Sequence, residues 1–551
     1  MTAMIADNLP VLVIIVPLFI GIVLPVFARR LRLVEGMVVL AEALGLVGAG
    51  FLAYMVVTRK GADWIYQVGG WPAPWGIELT ANSLAVFFLA VVMVVSLPIA
   101  LFTIGNLRQE VGGNMRTARF YTLFLLLVGS LAGMALTNDL FNTYVLVEVA
   151  TLSCCGLVSS HGTPRAAEAA FNYLILATLA SSLVVSGIGF IYVITGHLNM
   201  GFASQGLEQI WQAKPHAVWI AISFVLVGFG LKSAIFPLHI WLPDAHSSAP
   251  SPASAVLSGL AVKGYMICLL KFLYVVFGPD LMKEFSVDRI LVLAGMTAII
   301  CGSVMALPQN NLKRRLAFST VAQVGYIYLG FGLMDINGLA GALFYLASHA
   351  AIKSALFLSA GAMISATGKK KISELAGIGR KMPLTASVFT AASLGLIGIP
   401  LFSGFIGKWY LIAGSLDSGD FLPTIIIIAG SVLCAAYLFP VIRVAWFESP
   451  QQAEQVNAEQ QAEQPDSAAQ EGSRGIALQD EEMHSGQQVQ QTAVYQNVQE
   501  NTPPGNQVKD PGTAQKLALI LLTAVIFILG IMPGPFIALA KRAAAELLML
   551  R

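Results

Sequence analysis

Read for its hydrophobic and polar positions, the chain repeats one motif: an apolar run of about twenty residues, then a short polar interruption rich in Arg, Lys, Gly or Pro. A bilayer core of ~30 Å takes about 20 apolar residues as a helix. Runs of that length cover approximately 10–28, 34–57, 80–104, 118–136, 140–159, 168–194, 216–241, 253–276, 289–306, 312–333, 338–365, 383–414, 421–446 and 514–537. The pattern predicts an all-α integral membrane protein with about 14 transmembrane helices. The first run follows "MTAMIADN", which is acidic rather than basic and leads to no small-residue cleavage site, so it reads as a retained helix.

One segment breaks the pattern. Residues 449–512 are rich in Gln and acidic residues and nearly free of aromatics. Such a composition buries too little apolar surface to offset its ordering entropy and predicts a disordered hydrophilic cytoplasmic linker before a last helix. Basic residues in the short loops set the orientation. With the N-terminus outside, runs such as Arg29–Arg30, Lys313–Arg314–Arg315 and Lys369–Lys370–Lys371 fall inside, and inward loops hold fifteen Arg and Lys against five in outward loops. Both termini are therefore expected outside, in a multi-pass protein of the plasma (inner) membrane.

Composition agrees: of 551 residues 56% are hydrophobic and 11% charged, with a mean hydropathy of +0.75, whereas soluble domains carry roughly 25% charged residues. A net charge of +2 gives no support to nucleic-acid binding. The five cysteines lie in apolar runs without C-x-x-C spacing. They read as small buried hydrophobes, so no disulfide, cluster, metal or cofactor is expected.

Charges inside the runs are informative, because an ionisable side chain at membrane depth costs several kcal/mol unless it faces protein, a partner or water. Glu148 lies about nine residues into the fifth run, ~13 Å along its axis. Lys232, Lys263 and Lys408 lie within the seventh, eighth and twelfth runs, and His349 and Lys353 share a face of the eleventh at i, i+4. Glu148 is read as the one acid in this set. Structural ion pairs explain the set poorly, since buried pairs stabilise little and one glutamate cannot neutralise several lysines. Burial disfavours the charged form of a lysine and eases proton exchange, so the row reads as a proton path. In "LKSAIFPLHIWLPDAH", residues 231–246, Pro237 removes a donor and clashes with the preceding turn. The seventh helix is expected to break there, and the twelfth near Pro400, because a helix interrupted at membrane depth must face protein or water. His239 is placed to carry protons beside the break, while Asp244 and His246 suit capping or surface roles.

"KSAIFPLHIWLPDAHSSAPSPASAVLSGLAVKGY", with "DLFNTYVLVEV", "HAAIKSALFLSAGAM" and "GIPLFSGFIGKWYL", resembles the antiporter-like subunits shared by respiratory complex I, Mrp-type cation/proton antiporters and energy-converting membrane hydrogenases. "GGWPAPWGIEL", residues 69–79, resembles the D-type subunit of the Mrp antiporters and its counterpart in membrane-bound hydrogenases. The resemblance implies N-terminal helices over 1–117 and two inverted five-helix repeats over 118–276 and 277–448, with helices 7 and 12 broken. The linker of 449–512 departs from the family pattern, and 513–551 holds the last helix. It further implies that Glu148 pairs with Lys232, that Lys263 is a relay, that His349 and Lys353 form the central link, and that Lys408 is the terminal exchanger. That last position is glutamate in one complex I subunit and lysine in others. The long lateral C-terminal helix of the largest complex I antiporter subunit is not expected here.

The leading reading is thus a proton-translocating subunit of the Mrp D type, with sodium as a second candidate ion, working in the lipid bilayer beside other membrane subunits. A rival is the same fold as the pump arm of a redox-driven complex, with no redox or hydrolytic chemistry of its own. A remote rival, an enzyme on lipid-linked substrates, lacks a catalytic extramembrane loop, and "GFGLKS" lacks phosphate-loop spacing.

Overall fold

The computed structural model describes residues 7–58, 63–105, 107–449 and 508–549. Almost all of the expected linker, residues 450–507, lies outside the described residues, as do Arg59 and Lys60, two of the five basic residues expected in outward loops.

The helices run in chain order as follows. α1 is Leu9–Val23, extended by a tighter turn over Leu24–Phe27, and α2 is Leu31–Thr58. An antiparallel ribbon of β1, Trp64–Gln67, and β2, Glu78–Ala81, follows, with Trp64 opposite Ala81 and Gln67 opposite Glu78. Then come α3, Ser83–Thr103; α4, Asn114–Leu136; α5, Leu140–Ser159; and α6, Pro164–Thr195. The seventh apolar run is α7, Pro215–Lys232, and α8, Trp241–Ser248, and the eighth is α9, Ser251–Glu284. α10 is Val287–Ala306, α11 is Leu312–Gly332 and α12 is Ile336–Thr367. The twelfth run divides into α13, Pro383–Ile397, and α14, Ser403–Asp417; α15, Phe421–Phe447, α16, Thr513–Ile531, and α17, Gly534–Met549, complete the chain.

Among the described residues twelve helices are long and apolar enough to cross a membrane, against the expected fourteen. α11 starts with Lys313, Arg314 and Arg315 in its first turn, and the run 383–414 is two 15-residue helices rather than one. Three elements depart from the expectation. The β ribbon is too short and too evenly alternating in burial to stand out between long apolar runs. Met200–Ile210 forms a helix in what reads as a loop. α17 arises because Pro533 follows the end of α16, dividing the last apolar segment.

The few polar residues at span ends have local tasks. Asp139 accepts the Asn142 amide at 2.7 Å and starts α5; Asn311 accepts the Arg314 amide at 3.1 Å and starts α11; Asp335 accepts the Asn337 and Gly338 amides at 2.7 and 3.0 Å and starts α12. Each satisfies a donor that the first helical turn leaves free. The interior of the bundle is α3, α4, α9, α11 and α12: 94% of the most apolar stretch of α9 is buried, against 33% in α1, α15 and α16, which face outward. The charged positions are carried by this interior and the helices that touch it.

Lipid supplies no hydrophobic drive between helices, so close approach needs small residues. α10 and α11 meet this way: a Cβ at Gly325 would lie 2.6 Å from the Gly295 carbonyl oxygen, and one at Gly302 would lie 2.6 Å from the Ala322 amide. Gly325→Val is expected to separate the pair at a cost of about 1–3 kcal/mol, lowering the thermal midpoint of the purified protein. Gly50→Ala, where nothing lies within 4 Å, is the silent control.

Candidate functional site

The first cluster forms where α5, α6, α7 and α9 meet. α7 ends at Lys232, and its ammonium lies 3.3 Å from Glu148 Oε1 and 2.8 Å from Thr151 Oγ1, one turn further along α5. The Ser181 hydroxyl on α6 donates to the same Glu148 oxygen, and Tyr265 of α9 lies with its hydroxyl 3.3 Å from Thr151 and its ring 5.6 Å from the ammonium. The Lys232 side chain is 1% exposed and that of Glu148 29%, so the pair has a sealed cationic end and a partly open anionic end.

Between α7 and α8 the backbone leaves the helix over residues 233–240, with Pro237 inside the break. Trp241 Nε1 donates to the Leu231 carbonyl at 2.9 Å, tying the start of α8 to the end of α7. His239 is buried, but its ring lies against Phe236 and Phe318 at 5.4 and 6.1 Å, and its Nδ1 has no partner. His246 is fully buried and stacked 4.7 Å from Phe357 with both ring nitrogens unpartnered. That corrects the surface reading of His246, because α8 turns into the bundle rather than toward its rim. Asp244 does lie at the surface, 2.9 Å from Arg314.

The central cluster is carried by α9, α11 and α12. A π-helical stretch, Leu257–Ala261, precedes Lys263, whose ammonium donates back to the Ser258 carbonyl. Lys353 donates to the Leu316 carbonyl at 2.7 Å and the Ser319 hydroxyl at 2.5 Å. His349 lies one turn away with neither ring nitrogen partnered and its ring parallel to that of Tyr345, 6.1 Å off. Lys263, Lys353 and Lys408 are all within electrostatic reach of His349.

The third cluster closes on the second break. α13 ends at Ile397, α14 starts at Ser403, and Gly398 with φ +94°, Pro400 and Leu401 with φ +79° lie between. Lys408 reaches back across the gap, donating to the Leu396 and Ile397 carbonyls and to Ser431 Oγ, each at 3.0 Å. A helix C-terminus carries a partial negative charge, so α13 acts as the counter-charge that no acid provides. The ammonium also lies 4.6 Å from the Tyr326 ring and 5.9 Å from that of Tyr345. Tyr345 donates to Gln323 Oε1, and Gln323 Nε2 donates to the Tyr437 hydroxyl at 3.3 Å. Tyr345 thus touches Lys408, and its partner Gln323 follows Ser319, the hydroxyl that meets Lys353, by one turn of α11.

Sequence reasoning missed the neutral partners Thr151, Ser181, Ser319, Gln323 and Ser431, which carry no signal inside an apolar run. It also missed two charges that do. The expectation that Glu148 is the one acid within the spans does not hold, since Glu42 is buried midway along α2. Lys271, two turns beyond Lys263, is buried with its ammonium on the Met134, Ala135 and Thr137 carbonyls at the end of α4. Among the described residues no group of three or more His, Cys, Asp or Glu could hold a metal ion.

A many-helix membrane bundle with two interrupted helices and amines between them defines the class of an antiporter-like subunit. The chain belongs to the NADH:quinone oxidoreductase/Mrp antiporter transmembrane family, which matches residues 137–434. It is 38% identical over 447 residues to the N subunit of the NADH-quinone oxidoreductase of Desulforudis audaxviator, spanning 80% of this chain and 87% of that one. It is 30% identical over 438 residues to the D-type subunit of the Na(+)/H(+) antiporter of Bacillus subtilis, 80% and 86% of the two chains. Among solved structures, a chain of the Mrp complex from Dietzia sp. matches with a TM-score of 0.81 at 26% identity, over 99% of this chain and 98% of that one.

The carbonyl set around Lys271 makes a structural test. Lys271→Met leaves buried acceptors at the end of α4 unpaired, each costing about 1–3 kcal/mol. The variant is expected to show a lower thermal midpoint in detergent than the parent.

Proposed function

We propose that the subunit translocates protons through a chain of buried groups, Glu148, Lys232, His239, Lys263, His349, Lys353 and Lys408, and serves as the D-type subunit of a multisubunit cation/proton antiporter of the Mrp class. Sodium is the exchanged cation in this reading, and other membrane subunits flank the chain in the bilayer. Residues 118–276 and 277–448 act as two repeats, each with one broken helix and one lysine at the break. The observation that carries the proposal is the set of Lys232, Lys263, Lys353 and Lys408, buried and served by carbonyls, hydroxyls and a single carboxylate. Amines held this way are kept in place without being locked in charged form by a matching acid. The likeness of residues 69–79 to the D-type Mrp subunits and the 30% identity to the Bacillus subtilis antiporter protein support the Mrp assignment.

A second reading is favoured by a specific observation, the 38% identity to the N subunit of an NADH-quinone oxidoreductase. In it the same proton chain is driven by electron transfer in a partner. Purifying the intact complex separates the two: a flavin- or nickel-bearing subunit indicates the redox-driven form, and its absence the antiporter.

Two sets of variants, assembled in the complex and assayed for proton and sodium flux in membrane vesicles, test the chain itself. Glu148→Ala is expected to abolish or severely slow transport without loss of assembly, because it removes the anionic partner of Lys232. Lys408→Ala is expected to stop turnover. Lys408→Arg is expected to fail despite preserving charge, since a guanidinium does not release its proton. Lys408→Glu is expected to retain part of the flux, because a protonated carboxyl can donate its single O–H to the Leu396 or the Ile397 carbonyl and can still give up its proton. Parental flux in the arginine variant makes Lys408 a fixed charge and ends its role as exchanger.

A further inference from the structure

Glu42 is a buried titratable group that the proton chain above does not use, and it lies outside the matched segment 137–434. It sits eleven residues into α2, roughly 17 Å along the axis, and is 1% exposed. Among the described residues no counter-charge pairs with it. α2 packs on α1 and α3, and neither holds a single Asp, Glu, His, Lys, Arg, Cys or Tyr. α4, which also touches α2, carries Arg116, Arg119 and Tyr121 in its first two turns, and the Tyr121 hydroxyl is engaged with Thr103 Oγ1 at 2.9 Å. Glu42 takes part in none of the ion pairs among the described residues.

Its polar contacts are few. Ser96 of α3, itself 0% exposed, is hydrogen-bonded to Glu42 Oε2, and the Ser96 hydroxyl lies 3.5 Å from the Met93 carbonyl. Oε1 is buried without a partner. An ionised carboxylate here would have a single hydroxyl donor for two anionic oxygens, an arrangement that water-free surroundings penalise heavily. A protonated carboxyl fits the same atoms better. Its O–H donates to Ser96 Oγ, the Ser96 hydrogen goes to the Met93 carbonyl, and only a neutral carbonyl oxygen is left unpaired.

We propose that Glu42, with Ser96 and the Met93 carbonyl, forms a second proton-holding site in the N-terminal helices, separate from the lysine row. Infrared spectroscopy of the full-length protein in lipid vesicles reads it directly. The parent is expected to show the carbonyl stretch of a protonated carboxylic acid at a pH where surface carboxyls are ionised. Glu42→Gln, which reproduces the donor to Ser96, is expected to lose one such band while keeping the parental thermal midpoint. Ser96→Ala supplies the check should Glu42→Gln fail to assemble: it removes the hydrogen-bond acceptor, so the band is expected to persist and move to higher frequency. A band that is absent in the parent, or unaltered in both variants, overturns the proposal. So does loss of an ionised carboxylate band, rather than an acid band, in Glu42→Gln. None of these readouts depends on ion flux, so the site stands or falls apart from the transport reading.

Discussion

The structure depends on the cost of keeping ammonium groups out of water with too few acids to match them. A buried ion costs several kcal/mol even after relaxation, and the described residues include five buried lysines, Lys232, Lys263, Lys271, Lys353 and Lys408. Of these, only Lys232 has a carboxylate among the described residues, at 3.3 Å. The others are met by backbone carbonyls, three of them where a helix ends, widens or is interrupted, while Lys353 takes the Leu316 carbonyl inside the regular helix α11. The end of α4 serves Lys271, the π-helical stretch serves Lys263, and the end of α13 serves Lys408. For these three amines the irregularities of the fold supply the acceptors.

The two interrupted helices use that solution differently. Lys232 is the last residue of its first half-helix, with its side chain directed to a carboxylate and a hydroxyl on α5. Lys408 lies in the second half-helix and extends back to the carbonyls of the first. One ammonium has a true anion, and the other has the negative end of a half-helix. The Lys408 end has the aromatic faces of Tyr326 and Tyr345 in place of a carboxylate.

Much of this was legible in the sequence. Apolar runs near twenty residues have few alternatives to membrane helices, so α1 to α6 and α9, α10, α12 and α15 follow from the pattern. Proline within a run forecasts an interruption for a local steric reason, and burial cost alone singles out Glu148 and the lysines. Glu42 and Lys271 obey the same rule and were as readable as Glu148. The hydroxyl and amide partners were not. Whether Thr151 or Ser431 faces an amine depends on how each helix is rotated against a neighbour far off in the chain, and a uniformly apolar run does not encode that rotation. The β ribbon and Met200–Ile210 are too short to rise above their neighbours, and α17 is visible only once Pro533 is read as a stop.

α17 touches parts of the bundle that are far apart in sequence. Its Glu546 accepts a hydrogen bond from Ser83 at the start of α3, 2.6 Å away, and its Lys541 lies 4.8 Å over the ring of Tyr410 on α14. Ile537 packs with Phe344 of α12 in between. α17 thus bridges α14, the half-helix that carries Lys408, and the start of α3, joining the second break to the N-terminal helices through contacts that do not involve the lysine row.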